Sequence, residues 1–526
     1  MIESLSMKAK WWKKTVFYEI YMPSFNDSNG DGIGDFAGIT QKLDYLEQLG
    51  INGVWLTPFY KSPKVDNGYD ISDYCAIDDA YGTMKDFEHF ISEAHRRDIK
   101  IVIDMVLNHT SSEHPWFREA KKSTDNPYRD YYIWSEKPNN WESFFSGSAW
   151  EYDDETKQYY YHKFAREQAD LNWANPRVMA EAKKILKFWL DKGVDAFRFD
   201  VINFLTCEGI TSDNPVEDGK QVHKYDINQK GIMETLSELC CYVKSLGDKF
   251  LVGEVGSDQL EILKLYQNME SLDVVFNFNL GSKKSFNSAE IFNELVEMNR
   301  SMPGLPTLFF SSHDMSRHIS RFGEDTRDIG RAKAIATLMM TAVGIPFMFE
   351  GEEIGMTDLI ASSLEEMNDI QGITNYKTAI AQGKSHDEAL TIANEASRDK
   401  SRSPMQWDST QNAGFTAGKP WLRINDNHKE VNVEKELQNE NSLLNTYLKL
   451  IKLRKTEDAL AHGKYLNLSF NEGLLQFTRS YHGSDIIVYI SFDKPVEIDL
   501  PACPFKVLHG RAERTLARNE TLILKV

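Results

Sequence analysis

Residues 193–201 read Gly-Val-Asp-Ala-Phe-Arg-Phe-Asp-Val, an apolar, β-prone run that ends in Arg198 and Asp200. Burying an arginine and an aspartate at the end of a hydrophobic strand costs several kcal/mol unless the charges are paired and used. The same design recurs at residues 250–254, which end in Glu254, and at residues 308–314, which end in His313-Asp314. Each run delivers one carboxylate at its C-terminal end, and in a parallel β/α barrel those ends face one pocket. Three acids converging in a pocket suggest glycosidic bond cleavage. Retaining hydrolysis sets two carboxyls roughly 5 Å apart, one to attack the anomeric carbon and one to protonate the leaving oxygen. Arg198 lies two residues before Asp200, on the same strand face, where it can hold that carboxylate ionised and oriented.

Strand-like and helix-like segments alternate through most of the chain, as such a barrel requires. Strands are expected at residues 16–24, 53–57, 100–107, 194–200, 250–253, 272–278, 307–310 and 346–349. A helix is expected over 36–49, closed by Gly50. Another begins at Thr83, with Asp86 three residues on as in a capping box. A third runs from Asn175-Pro176 to Gly193, with Ala182, Ile185, Leu186, Trp189 and Leu190 as its apolar stripe. Eight βα units with continuous apolar strands indicate an α/β fold, a (β/α)8 TIM barrel.

The span between the third and fourth strands is too long for one loop and helix. It is rich in aromatic residues and turns, and reads as an inserted subdomain walling one side of the pocket. A second insertion, 356–421, has a charged, helical middle. Beyond Arg454 the pattern changes to short alternating strands, a C-terminal all-β sandwich domain. The expected division is 1–107 and 171–454 for the barrel, 108–170 for the inserted subdomain and 455–526 for the sandwich.

The bulk properties of the 526 residues narrow the partners. A net charge of −19 opposes nucleic acid, anionic membranes and acidic polymers. No run approaches the ~20 apolar residues of a membrane span. Residues 1–14 lack the apolar stretch of a signal peptide. The five cysteines are sparse and lack metal spacing. A cytoplasmic protein, monomeric or weakly homo-oligomeric, is expected, with a small oligosaccharide as substrate.

Asp104 to His109 (Asp-Met-Val-Leu-Asn-His) is a fourth strand end carrying polar groups. With Gly193–Asp200, Glu254 and His313-Asp314 in this order, the chain resembles the α-amylase family, glycoside hydrolase family 13, over nearly its full length. The resemblance implies Asp200 as nucleophile, Glu254 as general acid/base and Asp314 as transition-state stabiliser. It also implies His109 and His313 as ligands of the sugar in subsite −1. Like charge from Asp200 and Asp314 would favour a protonated Glu254.

Further motifs resemble one branch of that family, the oligo-1,6-glucosidases and dextran glucosidases. Within Asn67-Gly68-Tyr69-Asp70, Tyr69 resembles the tyrosine that stacks under the −1 glucose. Asp70 resembles an acid that pairs with an arginine, here Arg402, to close the non-reducing end and favour exo-action. Val201, after the nucleophile, resembles members with α-1,6 activity. Residues 138–150 and 351–356 resemble the same branch. Ser312 departs from the usual asparagine of the fourth region.

Asp27-Ser28-Asn29-Gly30-Asp31-Gly32-Ile33-Gly34-Asp35 alternates oxygen ligands on a Gly-rich loop, spacing that suits a hard cation such as Ca²⁺. Gly38 stands where an EF-hand would have its glutamate. Resemblance to the first-loop site of this branch implies side-chain ligands from Asp27, Asn29, Asp31 and Asp35, with the Ile33 carbonyl.

The expected activity is a retaining exo-α-glucosidase that hydrolyses α-1,6 bonds at the non-reducing ends of isomalto-oligosaccharides. The alternatives are a trehalose-6-phosphate hydrolase, an α-1,4-glucosidase or a sucrose isomerase or transglucosylase. A non-catalytic amylase-like binding module is more remote, because all three acids are kept.

Overall fold

The computed structural model describes residues 10–268, 270–323 and 327–526; residues 1–9 of the expected leaderless N-terminus lie outside them. Eight parallel strands make one sheet: β1 (Phe17–Ile20), β2 (Gly53–Leu56), β3 (Lys100–Met105), β4 (Ala196–Phe199), β5 (Phe250–Gly253), β6 (Val274–Val275), β7 (Thr307–Leu308) and β8 (Ile345–Phe349). Their order is β6-β5-β4-β3-β2-β1-β8-β7, with each neighbouring pair parallel. Helices alternate with the strands, giving the (β/α)8 barrel.

The circle closes between β6 and β7 through a side chain. The Thr307 hydroxyl accepts from Asn277 N at 2.9 Å and donates to the Val275 carbonyl at 3.1 Å. Gln267 Nε2 spans the same seam, donating to the carbonyls of Asp273 and Leu305. Among the described residues no backbone ladder joins these two strands.

The barrel interior is filled by Phe17, Trp55, Val102, Phe250, Val252, Phe276, Phe309 and Phe347. Phe17 stacks on Phe250 at 5.1 Å and on Phe347 at 4.6 Å. Gly53, opposite Phe17 in the ladder, makes room for that ring. A Cβ there would stand 2.6 Å from both Phe17 Cδ1 and Thr15 Cγ2. A second, larger apolar layer packs the helices on the outside of the strands.

The Thr83–Asp86 capping box is present, and Asn175 caps the helix Pro176–Asp191, whose Ala182, Ile185, Leu186 and Trp189 are buried. The helix expected over 36–49 is interrupted at Lys42 into Phe36–Gln41 and Leu43–Leu49. Gly50 closes the second with φ +91°.

The chain leaves the barrel after β3 and returns before the helix at Pro176. The strands that leave and return, His109–Ser111 and Gln168–Asp170, pair with each other antiparallel, so the excursion starts and ends at one place. Between them lies a three-stranded sheet with Trp141, Trp150 and Tyr161 packed in their own cluster. After β8, Ile370–Ala381 and His386–Ala396 form a helical pair.

The C-terminal unit is a five-stranded antiparallel sheet. Along Ser484–Ser491, Ile486, Val488 and Ile490 pack toward the barrel, whereas Ile487 and Tyr489 face the other way. That outer face is covered by Ile498 and Leu516, which belong to or flank a two-stranded ribbon. The second layer of the sandwich is thus much smaller than the first.

Candidate active site

Asp200 follows β4 directly and Glu254 follows β5, so both carboxyls stand at the C-terminal rim. Asp314 is carried by the turn after β7. All three line one cavity of about 390 Å³, together with Tyr69, His109 and Val201. Aromatic walls come from Phe144, Phe145 and Phe164 of the inserted segment and from Phe204 after β4. The volume suits a small ligand, within the ~300–1,000 Å³ typical of such sites.

Arg198 joins the acids. It sits in register with Asp104 of β3, and its Nη1 donates to both Asp104 oxygens, at 2.9 and 3.0 Å. The same nitrogen donates to Asp200, and Nη2 donates to Glu254. One buried guanidinium therefore faces the buried carboxyls of Asp104 and Asp200 and the half-buried one of Glu254, and it cannot balance all of them when ionised. Burial raises Asp200 to about 6, against the opposing pull of Arg198. Burial raises Glu254 further, to about 7, with Asp200 and Asp314 adding like-charge repulsion against the pull of Arg198. Of the two, Glu254 is the acid that keeps its proton near neutral pH.

Burial would also raise Asp314. His313, Arg398 and Arg402 overcome it and hold this carboxyl well below the usual range. His313 Nε2 lies 3.0 Å from Asp314 Oδ2, and Arg402 Nη2 donates to Oδ1 at 2.9 Å. The Ser312 hydroxyl accepts from Asp314 N at 3.2 Å, so the serine still supports the turn.

Tyr69 lies against His313, rings 5.6 Å apart and nearly parallel, and donates its hydroxyl to Asp104 at 3.0 Å. His109 is buried, and burial lowers it to about 4. Its Nε2 donates to the Tyr69 carbonyl at 3.1 Å, which fixes the loop carrying Tyr69. Val201 has φ +36° and ψ +46°, a left-handed conformation that is a genuine outlier for a β-branched residue.

The expected Asp70–Arg402 pair does not form. Asp70 is wholly buried and accepts from Val65 N at 2.8 Å and Asp66 N at 3.0 Å, so it builds the turn from beneath. Arg402 is likewise buried, donating to the His313 carbonyl and Asp314. The pair at the cavity is Asp66 with Arg398, four residues earlier on each side, at 2.6 Å. Arg398 also pairs with Asp369 at 2.5 Å. Sequence reasoning missed Asp66, Asp369 and Arg398. The signal was a doubled one, Asp66/Asp70 and Arg398/Arg402, and only burial separates the members.

The 27–35 loop is shaped by its own side chains. Asp27 accepts from the backbone N–H groups of Asn29, Gly30 and Gly32, and from the Thr416 hydroxyl. Asn29 accepts from Asp31 N, and Asp31 from Ile33 N. Asp35 caps the helix Phe36–Gln41 through Gly38 N. Among the described residues no three His, Cys, Asp or Glu side chains are grouped to hold a metal ion.

A parallel barrel with strand-end carboxylates around an aromatic-walled cavity defines a glycoside hydrolase. The sequence profile described as "Alpha amylase, catalytic domain" matches residues 19–463, and the chain belongs to that family. It is 43% identical over 517 residues to the oligo-1,6-glucosidase of Parageobacillus thermoglucosidasius, covering 94% of this chain and 92% of that protein. It is 40% identical over 508 residues to the trehalose-6-phosphate hydrolase of Escherichia coli (strain K12), covering 93% and 92%. Among solved structures, the trehalulose synthase of Pseudomonas mesoacidophila MX-45 superposes with a TM-score of 0.92 at 36% identity, covering 98% of this chain and all of that one. No helix among the described residues is long and apolar enough to cross a membrane.

Proposed function

We propose that the protein is a retaining exo-α-glucosidase that releases glucose from the non-reducing ends of α-1,6-linked isomalto-oligosaccharides. One observation carries the reading: Asp200, Glu254 and Asp314 share a small cavity with a buried Asp66–Arg398–Asp369 cluster. In this reading Asp200, ionised and held by Arg198, attacks the anomeric carbon. Glu254 gives its proton to the leaving oxygen and then takes one from the incoming water. Asp314 accepts from sugar hydroxyls as positive charge develops on the ring. The ion-pair cluster recognises the hydroxyls of a terminal sugar and blocks further units, which gives exo-action.

The name and identity of the Parageobacillus relative support the α-1,6 linkage. Arg398, the cation lining the cavity, is already committed to Asp66 and Asp369, which disfavours a phosphorylated substrate. The test is glucose release from isomaltose, maltose, trehalose 6-phosphate and sucrose. Fastest turnover of isomaltose is expected; preference for trehalose 6-phosphate would overturn the reading. With Asp200→Asn, loss of several orders of magnitude in kcat is expected on every substrate.

We also propose that the 27–35 loop holds a structural Ca²⁺ through Asp27, Asn29, Asp31, Asp35 and the Ile33 carbonyl. Its support is the succession of alternate oxygen-bearing side chains, each turned back onto the backbone two residues on. Tightly held calcium in the purified protein, and a lower Tm after chelation, are expected. Absence of both would leave the loop as a hydrogen-bonded turn alone. The five free cysteines support a reducing, cytoplasmic setting. Monomer or weak homo-oligomer is the expected state by light scattering.

A further inference from the structure

Glu19 is a buried acid in the middle of an otherwise apolar strand, β1, and neither the sequence motifs nor the mechanism above uses it. Its Oε1 lies against His313 Nδ1 and also accepts weakly from His313 N at 3.4 Å. On the other side of the ring, His313 Nε2 is 2.7 Å from the Tyr69 hydroxyl oxygen and 3.0 Å from Asp314 Oδ2.

The direction of these bonds follows from their partners. Tyr69 has given its only hydroxyl proton to Asp104. Burial pushes that hydroxyl far above its usual titration range, so the proton stays. The Tyr69 oxygen and Asp314 are then both acceptors toward Nε2, and Glu19 is an acceptor toward Nδ1. Both ring nitrogens must carry hydrogen, and the ring is an imidazolium.

We infer that Glu19 is a positioning residue: it keeps His313 doubly protonated, and through that cation it fixes Asp314 as an ionised acceptor facing the sugar. Glu19 does not line the cavity that holds the three acids. The inference rests on Asp314 acting as the proposed stabilising carboxylate. Other groups around the ring are consistent with it. Tyr21 stacks at 5.8 Å and Trp55 meets it edge-on at 5.9 Å, neither adding charge. Arg402 donates to the His313 backbone carbonyl. Arg198 faces Asp104 rather than the ring. Burial alone would make the imidazole neutral, but Asp314 and Glu19 reverse this and raise it to about 9.

Glu19→Gln keeps shape and hydrogen-bonding reach but removes the charge. Its amide oxygen can accept from Nδ1, leaving Nε2 without a proton opposite two acceptors. Tyr69 must then turn its hydroxyl from Asp104 to the ring. The experiment follows ¹⁵N-histidine spectra of the full chain with pH, using His313→Gln to assign the signal, alongside kcat and KM on isomaltose. In the unmodified protein the imidazolium signature should persist above pH 8. In Glu19→Gln it should be lost by pH 7, and kcat should fall at least about tenfold with a smaller change in KM.

A neutral His313 at pH 7 in the unmodified protein would overturn the inference, and this reading does not need the variant to fold. So would a Glu19→Gln enzyme with an unchanged ¹⁵N signature or a kcat within twofold. The spectra do not depend on which glucoside is hydrolysed, so failure of the proposed substrate is separable from failure of the relay.

Discussion

Asp66 and Arg398 form a 2.6 Å ion pair that joins the turn after β2 to the segment after β8. Each has a second partner: Gln168 Nε2 donates to Asp66 at 3.1 Å, and Asp369 receives Arg398. The pair is therefore held from both sides, and it closes one wall of the cavity.

Removing one half of a buried charge pair leaves the other uncompensated. Arg398 would still have Asp369, so Asp66→Ala should fold. Its kcat/KM on isomaltose should fall by ~30-fold or more, the equivalent of 2 kcal/mol lost from a buried contact. The ratio of activity on dextran to activity on isomaltose should rise as the wall opens. An unchanged ratio would remove the ion pair from substrate selection.

The pH profile of kcat/KM should be a narrow bell. Asp200 must be ionised, so activity rises through about 6. Glu254 must keep its proton, so activity falls above about 7. The two limbs belong to the pair, since each charge acts on the other. A plateau extending to pH 9 would show that Glu254 is not the acid.

Stability should decline from neutral to alkaline pH. Burial raises Asp170 to about 8 and Glu352 to about 7, so the folded chain holds protons that the unfolded chain has already released. Stability then falls as pH climbs from about 4 to about 8. His313, raised to about 9, acts in the same direction: its contribution is full below 6.5 and is lost through 9. Calorimetry should find a lower Tm at pH 9 than at pH 6. A flat Tm over that range would contradict the buried charges described.

Val201 carries backbone strain of ~1–3 kcal/mol beside Asp200. Asparagine tolerates this conformation better. Val201→Asn should raise Tm on the order of 1 °C while lowering kcat/KM on isomaltose, because Val201 also lines the cavity. A lower Tm would show that apolar packing outweighs the strain.

Much of the fold was legible because apolar runs and caps are local signals. Phe250–Gly253 coincides with its expected strand, and Asn175 and Thr83 begin their helices as their side chains dictate. The break at Lys42 carries no such signal. The strand-end acids were legible because a charge after an apolar run needs a reason to be there. The choice between Asp66 and Asp70 was not, because it depends on which carboxylate folds under the turn, a matter of three-dimensional burial. Glu19 escaped notice for the converse reason. It sits inside a strand, and its partner His313 is far away in sequence and adjacent only once the barrel closes.

A barrel is usually thought to have no free border. Here β6 and β7 are two-residue strands joined, among the described residues, by the hydroxyl of Thr307 rather than by a backbone ladder. The hoop has a clasp rather than a weld. Thermal fluctuations that part the staves should start there, and amide exchange of residues 274–277 and 307–308 should outpace that of β1 to β5. The carboxylates of β4 and β5 stand on the continuous side, so the clasp can loosen without disturbing the distance between them.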